Sequence, residues 1–262
     1  MSGVERRSGI IRILDHHDVV RPTALADSFA VSVETIRRDL VVLEQLGDVQ
    51  RVHGGVARSR LSNNSEPARS ARLGLHWEAK QEIAATMASL VSDDATVIFD
   101  VGTTVEACAH ALAESFRGLV ITNSWSVVAE CLTRPEVSVQ FLGGKVRKDE
   151  MTCAGPEAIH ALSQLHADFA VLGSGGVDAS GGLTDYDVEE LLVRQQMLRS
   201  ASSSYVVADA SKIGHVALRK VCALDALSGV VTDKKADAEL VHALRELGVQ
   251  VIDGPAGTEN GE

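Results

Sequence analysis

The sequence is short of cysteine pairs, of long apolar runs and of positive charge. Cys108, Cys131, Cys153 and Cys222 lie far apart, with no CxxC and no metal-ligand spacing. That pattern predicts reduced, mostly buried thiols, with neither a metal nor a cofactor. The longest apolar run, around Ala95–Phe99, is strand-length and far short of a membrane span. No apolar stretch follows the charges of Met1–Ile10, so no signal peptide and a cytoplasmic location are expected. No internal repeat of fixed period is present. Lysine is missing from the first 72 residues, where all 11 basic side chains are arginine.

What is there suits a soluble protein with one small and one larger domain. The chain has 262 residues, 45% of them hydrophobic and 23% charged. The net charge of −11 argues at first against a nucleic-acid partner. It is unevenly spread, however. Residues 1–72 carry 11 arginines against 9 carboxylates, a net +2, whereas the remainder is at −13. A mildly basic head on an acidic body is compatible with DNA binding through the head. Arginine is the side chain suited to forked contacts with phosphate and guanine.

Composition and periodicity divide the chain into a helical head with a glycine-containing turn (1–57), a polar linker (58–72), an α/β body (73–253) and a disordered tail (254–262). In the body, apolar runs at Thr96–Phe99, Leu119–Thr122, Val137–Leu142, Phe169–Leu172, Tyr205–Ala208, Gly229–Val231 and Val249–Ile252 read as strands. Helical patterns fall between most of them, at Glu78–Leu90, Val105–Leu112, Ser126–Leu132, Val188–Ser200 and Ala236–Leu247. Such alternation points to a mostly parallel sheet covered on both faces.

The head reads as a winged helix-turn-helix. Ile10, Ile11, Ile13 and Leu14 form the apolar patch of a first helix that stops at Asp15–Asp18. Thr23 is placed to cap a short helix, Ala24–Phe29, with Leu25 and Phe29 as an i,i+4 pair. Ser32 caps a second helix, Val33–Leu46, whose Ile36, Leu40, Leu43 and Leu46 share one face and which Gly47 ends. Its first turns present Glu34, Thr35, Arg37 and Arg38 on the opposite face. A helix that reads the major groove enters by its N-terminal end, with exposed side chains able to reach base edges and phosphates. Asp39, beside two arginines, is expected to orient an arginine rather than touch DNA. Residues 49–56 read as two short strands around a turn, a wing whose Arg51 and His53 are candidate DNA contacts together with Thr23, Ser32, Glu34, Thr35, Arg37 and Arg38.

These residues resemble the DeoR family of bacterial regulators. The run Val31–Leu40, then Leu43-Glu44, Gly47 and Arg51–Gly55, is similar to that family's helix-turn-helix and wing nearly position for position. The resemblance extends over roughly residues 5–233, through Asp100–Thr104, Thr122–Ser124, Leu142–Gly144, Gly155-Pro156, Gly182–Thr184 and Asp209–Lys212. It implies a mostly parallel-sheet α/β sensor domain resembling ribose-5-phosphate isomerase. It also implies that Gly102, Thr103 and Thr104 hold phosphate while Asp100, Asn123 and Lys212 line the site. Glu189, Glu190 and Arg194 match a charged helix of the family.

The local sequence supports an effector site independently. Asp100–Thr104 puts a glycine and two hydroxyls between a strand and a helix N-terminus, a natural phosphate cradle, though the threonines alone would serve as caps. Asn123, Gly143, Gly144, Lys145, Asp178 and Lys212 follow other strands, and ligands of open α/β sheets bind outside strand C-termini. Each such loop alone is also an ordinary βα turn. The loop Gly173–Asp178 departs from the isomerases, since it has one acid where they carry a cluster used in proton transfer. Aldose–ketose isomerisation needs a positioned base. The expectation is therefore a non-enzymatic repressor of sugar-metabolism genes, an oligomer (dimer or higher) bound to a double-stranded DNA operator, with a phosphorylated sugar as effector and no membrane partner. The alternative is a sugar-phosphate isomerase-like enzyme with an accessory nucleic-acid-binding domain. A purely architectural DNA-binding protein leaves most of the chain unused.

Overall fold

The computed structural model describes residues 3–15, 17, 19–45, 48–52, 54–58 and 66–254. The chain divides into two compact units, Met1–Arg72 and Leu73–Glu262. The first contains α1 (Gly3–Asp15), α2 (Pro22–Phe29), α3 (Val33–Gln45), β1 (Val49–Val52) and β2 (Gly55–Arg58). Helix α4 (Arg69–Leu73) follows and lies partly within the stretch expected to be a polar linker.

In the head, Ile10, Leu14, Leu25, Ile36, Leu40, Leu43, Val49 and Val56 form one core, with Ile10, Leu25 and Ile36 fully buried. Helix α2 begins two residues earlier than a Thr23 cap would place it. Pro22 opens it and Arg21 stands at the N-cap without a side-chain bond, so Thr23 lies inside the helix and caps nothing. Proline is suited to that first position because its missing N–H would have had no partner. The helix ends on Ala30, whose φ of 52° turns the chain, and Val31 N–H closes the turn on the Ala26 carbonyl at 3.1 Å. Ser32 caps α3 as its sequence suggests, with Thr35 N–H donating to its Oγ at 3.1 Å. Strands β1 and β2 pair antiparallel as the wing, and Val20 bridges Val56 beside them. Leu46 and Gly47, the expected end of α3, lie outside the described residues, as do tail residues 255–262.

The second unit contains α5 (Trp77–Leu90), β3 (Thr96–Phe99), α6 (Thr103–His110), β4 (Leu119–Thr122), α7 (Trp125–Cys131), β5 (Ser138–Phe141), β6 (Lys145–Arg147), β7 (Thr152–Ala154), α8 (Pro156–Ser163) and β8 (Ala167–Leu172). Then come β9 (Gly176–Asp178), β10 (Gly182–Asp185), α9 (Val188–Arg199), β11 (Ala201–Val207), β12 (Arg219–Cys222), β13 (Gly229–Val231), α10 (Ala238–Glu246) and β14 (Val251–Ile252). Seven strands make one parallel sheet in the order β14-β13-β11-β8-β3-β4-β5. These are the seven apolar runs identified in the sequence. Alternate residues of each strand feed two cores. Ile98, Ile121, Ala170, Leu172, Val206 and Val230 face one, with Leu162, Met197 and Leu244 of the helices. Val97, Phe99, Val120, Val171, Val207 and Val231 face the other, with Ile83, Met87 and Val105. Burial on both faces explains the apolar runs of the strands, while polar residues such as Thr96, Ser138 and Asp168 fall toward strand starts.

Helix α8 and two further features were not read from the sequence. Residues 145–154 form the β6–β7 hairpin, and β12-β10-β9 make a small antiparallel sheet. The chain leaves β3 to build β4 and β5 on one side, then returns to place β8 on the other. The crevice between the β3 and β8 C-termini is therefore the topological switch point, where open α/β sheets bind ligands.

Because both tryptophans, Trp77 and Trp125, lie in the second unit, the two cores can be followed separately. Ile36→Ala should destabilise the head by about 2–5 kcal/mol. Far-UV circular dichroism should show earlier loss of helix in urea while the tryptophan-fluorescence transition stays in place. Equal shifts of both signals would mean that the units unfold as one.

Candidate functional site

In the head, α3 buries Ile36, Asp39, Leu40 and Leu43 and exposes Glu34, Arg37 and Arg38. Thr35 and Ser32 share their hydroxyls at 2.9 Å, and Glu34 pairs with Arg37 at 3.6 Å. Arg51 on the wing reaches Glu44 of α3 at 3.1 Å. Asp39 does orient arginines, but not its neighbours in sequence. Its carboxylate takes Arg6 Nε at 2.5 Å and Arg7 Nη1 at 3.4 Å, both from α1. That buried tie docks α1 against α3 and leaves the guanidinium groups of Arg37 and Arg38 in solvent. His53 lies outside the described residues.

In the second unit, the loops after β3, β4, β5, β8 and β11 lie at one edge of the parallel sheet. Asp100 follows β3, and its main-chain N–H holds the Val171 carbonyl at 3.0 Å. Helix α6 then starts at Gly102, with φ 122°, no side-chain cap and nothing within 4 Å of where a Cβ would stand. First-turn N–H groups of a helix have no partner within it, so this end offers donors and a partial positive charge to open space. Thr103 is buried and Thr104 half-buried beside it.

Asn123, at the end of β4, is fully buried. Its Nδ2 donates to the Cys153 carbonyl at 2.7 Å, which fixes the amide, and its Oδ1 has no partner. Gly143 opens on empty space. Gly144 has a different duty, since a Cβ there would stand 2.5 Å from the Ala154 carbonyl oxygen, so it permits the close start of the β6–β7 hairpin. Lys145 is on that hairpin, exposed and held by both Glu189 oxygens at 3.1 Å. Lys212 ends a short 3-10 turn, Ala210–Lys212, capped by Asp209. No salt bridge among the described residues occupies its ammonium, yet its charge helps hold the carboxyls of Asp185 and Asp209 low.

Asp178 belongs elsewhere. Its Oδ1 accepts Ser180 N–H at 2.8 Å, Ser180 Oγ–H at 2.7 Å and Gly181 N–H at 2.8 Å, closing the β9–β10 turn. Those bonds hold its carboxyl below the usual range even though burial opposes them. It is a turn residue, with Oδ1 taken up by these three bonds.

The centre of the site is a set of ion pairs that sequence reasoning left without a role. Arg194 of α9, with 2% of its side chain exposed, pairs through Nε with Asp100 and through Nη1 with Asp185 at the end of β10. Asp100 Oδ2 also accepts Gly173 N–H at 2.9 Å. Burial resists charge on Asp185, but Arg194 overcomes it and holds the carboxyl low; the two acids raise the guanidinium in turn. One helical turn earlier, buried Glu190 takes Thr152 Oγ–H at 3.1 Å and pairs with Arg147, tying α9 to the β6–β7 hairpin. Burial is the larger influence on Glu190 and raises its carboxyl despite Arg147. A signal was present in the sequence. Glu190, Arg194 and Met197 fall at helical spacing on the stripe that also buries Leu191 and Val193, so charges occupy core positions.

A winged helix-turn-helix unit together with a mostly parallel α/β unit defines a DNA-binding regulator. Residues 6–60 match the DeoR-like helix-turn-helix domain and residues 75–234 the DeoR C terminal sensor domain. The chain belongs to the DeoR family. It is 29% identical to the glycerol-3-phosphate regulon repressor of Escherichia coli, over 96% of this chain and 99% of that protein. It is 30% identical to the transcriptional repressor GlcR of Bacillus subtilis, over 95% of each. It is 32% identical to the transcriptional regulator FruR of the same organism, over 87% of this chain and 90% of that one. Among solved structures, ribose 5-phosphate isomerase A from Methanocaldococcus jannaschii aligns over 51% of this chain and 52% of that one, with 16% identity and a TM-score of 0.38.

Two measurements follow from this geometry. Arg37→Ala should weaken operator binding and relax base preference at one position by about 1–3 kcal/mol. Equal losses on operator and random DNA, in fluorescence anisotropy, would reduce Arg37 to a phosphate contact. The second concerns pH. Glu190 has a folded pKa above its unfolded value of about 4.3, so its contribution to stability is greatest below that value and declines as pH rises through the folded pKa. Asp185 has the opposite sign, and its contribution is lost as pH falls below about 3.9. Glu190→Gln should remove the first decline, seen as a wild-type minus variant difference in urea midpoint that shrinks with rising pH. A constant difference would mean that Glu190 stays charged throughout.

Proposed function

We propose that this chain is a repressor of sugar-metabolism genes whose operator affinity is set by a phosphorylated sugar held at the β3–β8 switch point. The observation that carries the reading is the uncapped N-terminus of α6 opening at Gly102 onto empty space. Helix N-termini bind phosphate through free N–H groups and the helix dipole. Gly102, Thr103 and Thr104 supply that end, and Lys212 supplies a cation. The unpartnered Asn123 Oδ1 is an acceptor suited to a sugar hydroxyl. Gly143 leaves room beside it. Lys145, fixed to Glu189, borders the site rather than gripping the ligand.

The relatives support the same class. One is the repressor of a glycerol-3-phosphate regulon, and glycerol 3-phosphate is itself a small phosphorylated polyol. The isomerase alternative loses its acids. Asp100 and Asp185 are paired with Arg194, Glu190 with Arg147, and Asp178 with a turn, which leaves none of them as a free base. DNA contact falls to Thr23, Ser32, Glu34, Thr35, Arg37, Arg38, Arg51 and His53. The small positive charge of the head provides little nonspecific attraction. Two heads on a repeated operator, carried by a homo-oligomer, would multiply a modest single-site affinity. The effector then acts only through its differential affinity for the DNA-bound and free states.

A gel shift on the DNA upstream of the protein's own operon, repeated with a panel of pentose, hexose and glycerol phosphates, tests the reading directly. At least one should change the midpoint of the shift. Lys212→Ala should leave the operator midpoint without effector unchanged and abolish the response. An unaltered dose-response in that variant would remove Lys212 from the site. Aldose–ketose conversion of any panel member by the wild type would overturn the binding-only reading.

A further inference from the structure

Asp100 stands immediately before the Gly102–Thr104 turn, and the sequence suggested that it binds the sugar. Its surroundings assign it differently. The carboxylate is 1% exposed, and its Oδ2 is shared between Arg194 Nε and Gly173 N–H at 2.9 Å. The Asp100 main-chain N–H is held by Val171 at 3.0 Å. Gly173 approaches so closely that a Cβ there would stand 2.5 Å from the Val101 carbonyl oxygen. The loops after β3 and β8 are therefore locked together at the start of the anion-facing turn.

Arg194 is the part of this lock that comes from elsewhere in the chain. It extends the tie to Asp185, whose Oδ1 accepts Tyr186 N–H at 2.5 Å, and so to β10. Helix α9 is itself anchored at Glu190 to both strands of the β6–β7 hairpin, so the guanidinium is presented from a fixed support. Electrostatics makes the same demand. A phosphate arriving at Gly102 would meet Asp100 and Asp185 as two nearby negative charges. A buried guanidinium between them offsets one of the two charges and so reduces that repulsion at the helix end.

We propose that Arg194 is a positioning residue for effector recognition. It fixes Asp100 and Asp185 and offsets one of their two charges, so that the Gly102–Thr104 turn is held in shape with less repulsion of an arriving phosphate, while Asp100 does not touch the ligand. This rests on the crevice being the effector site. It predicts that Asp100 and Arg194 act as one unit: once Arg194 has lost its fork, removing the Asp100 charge costs nothing more. A residue that merely fills space would show no such coupling, and an independent ligand contact would show additive losses.

The test is calorimetric titration of the full chain with inorganic phosphate, in the wild type, Arg194→Lys, Asp100→Asn and the double variant. Lysine keeps the charge but cannot bridge both carboxylates. Each single variant should bind phosphate at least tenfold more weakly, and the double variant within twofold of Arg194→Lys. Losses that multiply in the double variant would overturn the proposal, because Asp100 would then be a direct contact. Wild-type phosphate binding by Arg194→Lys would also overturn it. Should Arg194→Lys fail to fold, Asp185→Asn removes one end of the fork and should weaken phosphate three- to tenfold; unchanged binding there would be equally decisive against it. A wild-type chain that takes up no phosphate defeats the crevice reading itself, an outcome distinct from any pattern among the variants.

Discussion

The sensor unit depends on a guanidinium that has almost no access to water. Arg194 sits between Asp100 and Asp185, and three separate stretches of chain meet on it: the end of β3, the end of β10 and the middle of α9. A buried ion pair is a poor source of net stability, because the desolvation of its members offsets most of their attraction. Its value lies in specificity. Loss of one partner leaves an uncompensated buried charge at a cost of about 3–5 kcal/mol, so slipped arrangements of these loops are strongly disfavoured. The same ties fix the turn that exposes the N-terminus of α6. A binding site built on shared N–H groups needs that fixity, since misplacing the turn by an ångström loses the alignment of every donor at once.

The head uses the same device on a smaller scale. Asp39 lies on the buried side of α3 and gathers Arg6 and Arg7 from α1. The apolar core of Ile10, Leu25, Ile36 and Leu43 gives the three helices a reason to pack but little reason to prefer one rotation of α1. The directional carboxylate–guanidinium contact supplies that preference. It also ties down two of the head's arginines, whereas Arg37, Arg38 and Arg51 stay exposed.

Some features were legible in the sequence because their causes are local. The seven strands of the parallel sheet were visible as short apolar runs, since burial on both faces requires such runs. The wing and the Ser32 cap were visible because turn and cap chemistry select particular residues within a few positions. Where local signals compete, the reading slipped. Thr23 is a good capping residue, but Pro22 starts the helix first. Asp178 is an acid at a strand end, but Ser180 and Gly181 hold its carboxylate in a turn. The β6–β7 hairpin and the β12-β10-β9 sheet escaped notice because their strands are three or four residues long and carry no clear alternation.

The sequence by itself determined the seven strands of the parallel sheet and most of the helices between them, helix α3 with its exposed arginines, and the glycine-threonine turn at the head of α6. Each follows from periodicity or from contacts between residues a few positions apart. Only the tertiary structure decided which charges meet. Asp100 and Arg194 are 94 positions apart, Asp39 and Arg6 are 33 apart, and Glu190 and Thr152 are 38 apart. No local propensity encodes such pairings. They arise when the packed sheet and helices exclude water from a few charged groups, and each group must then find an opposite charge or remain neutral.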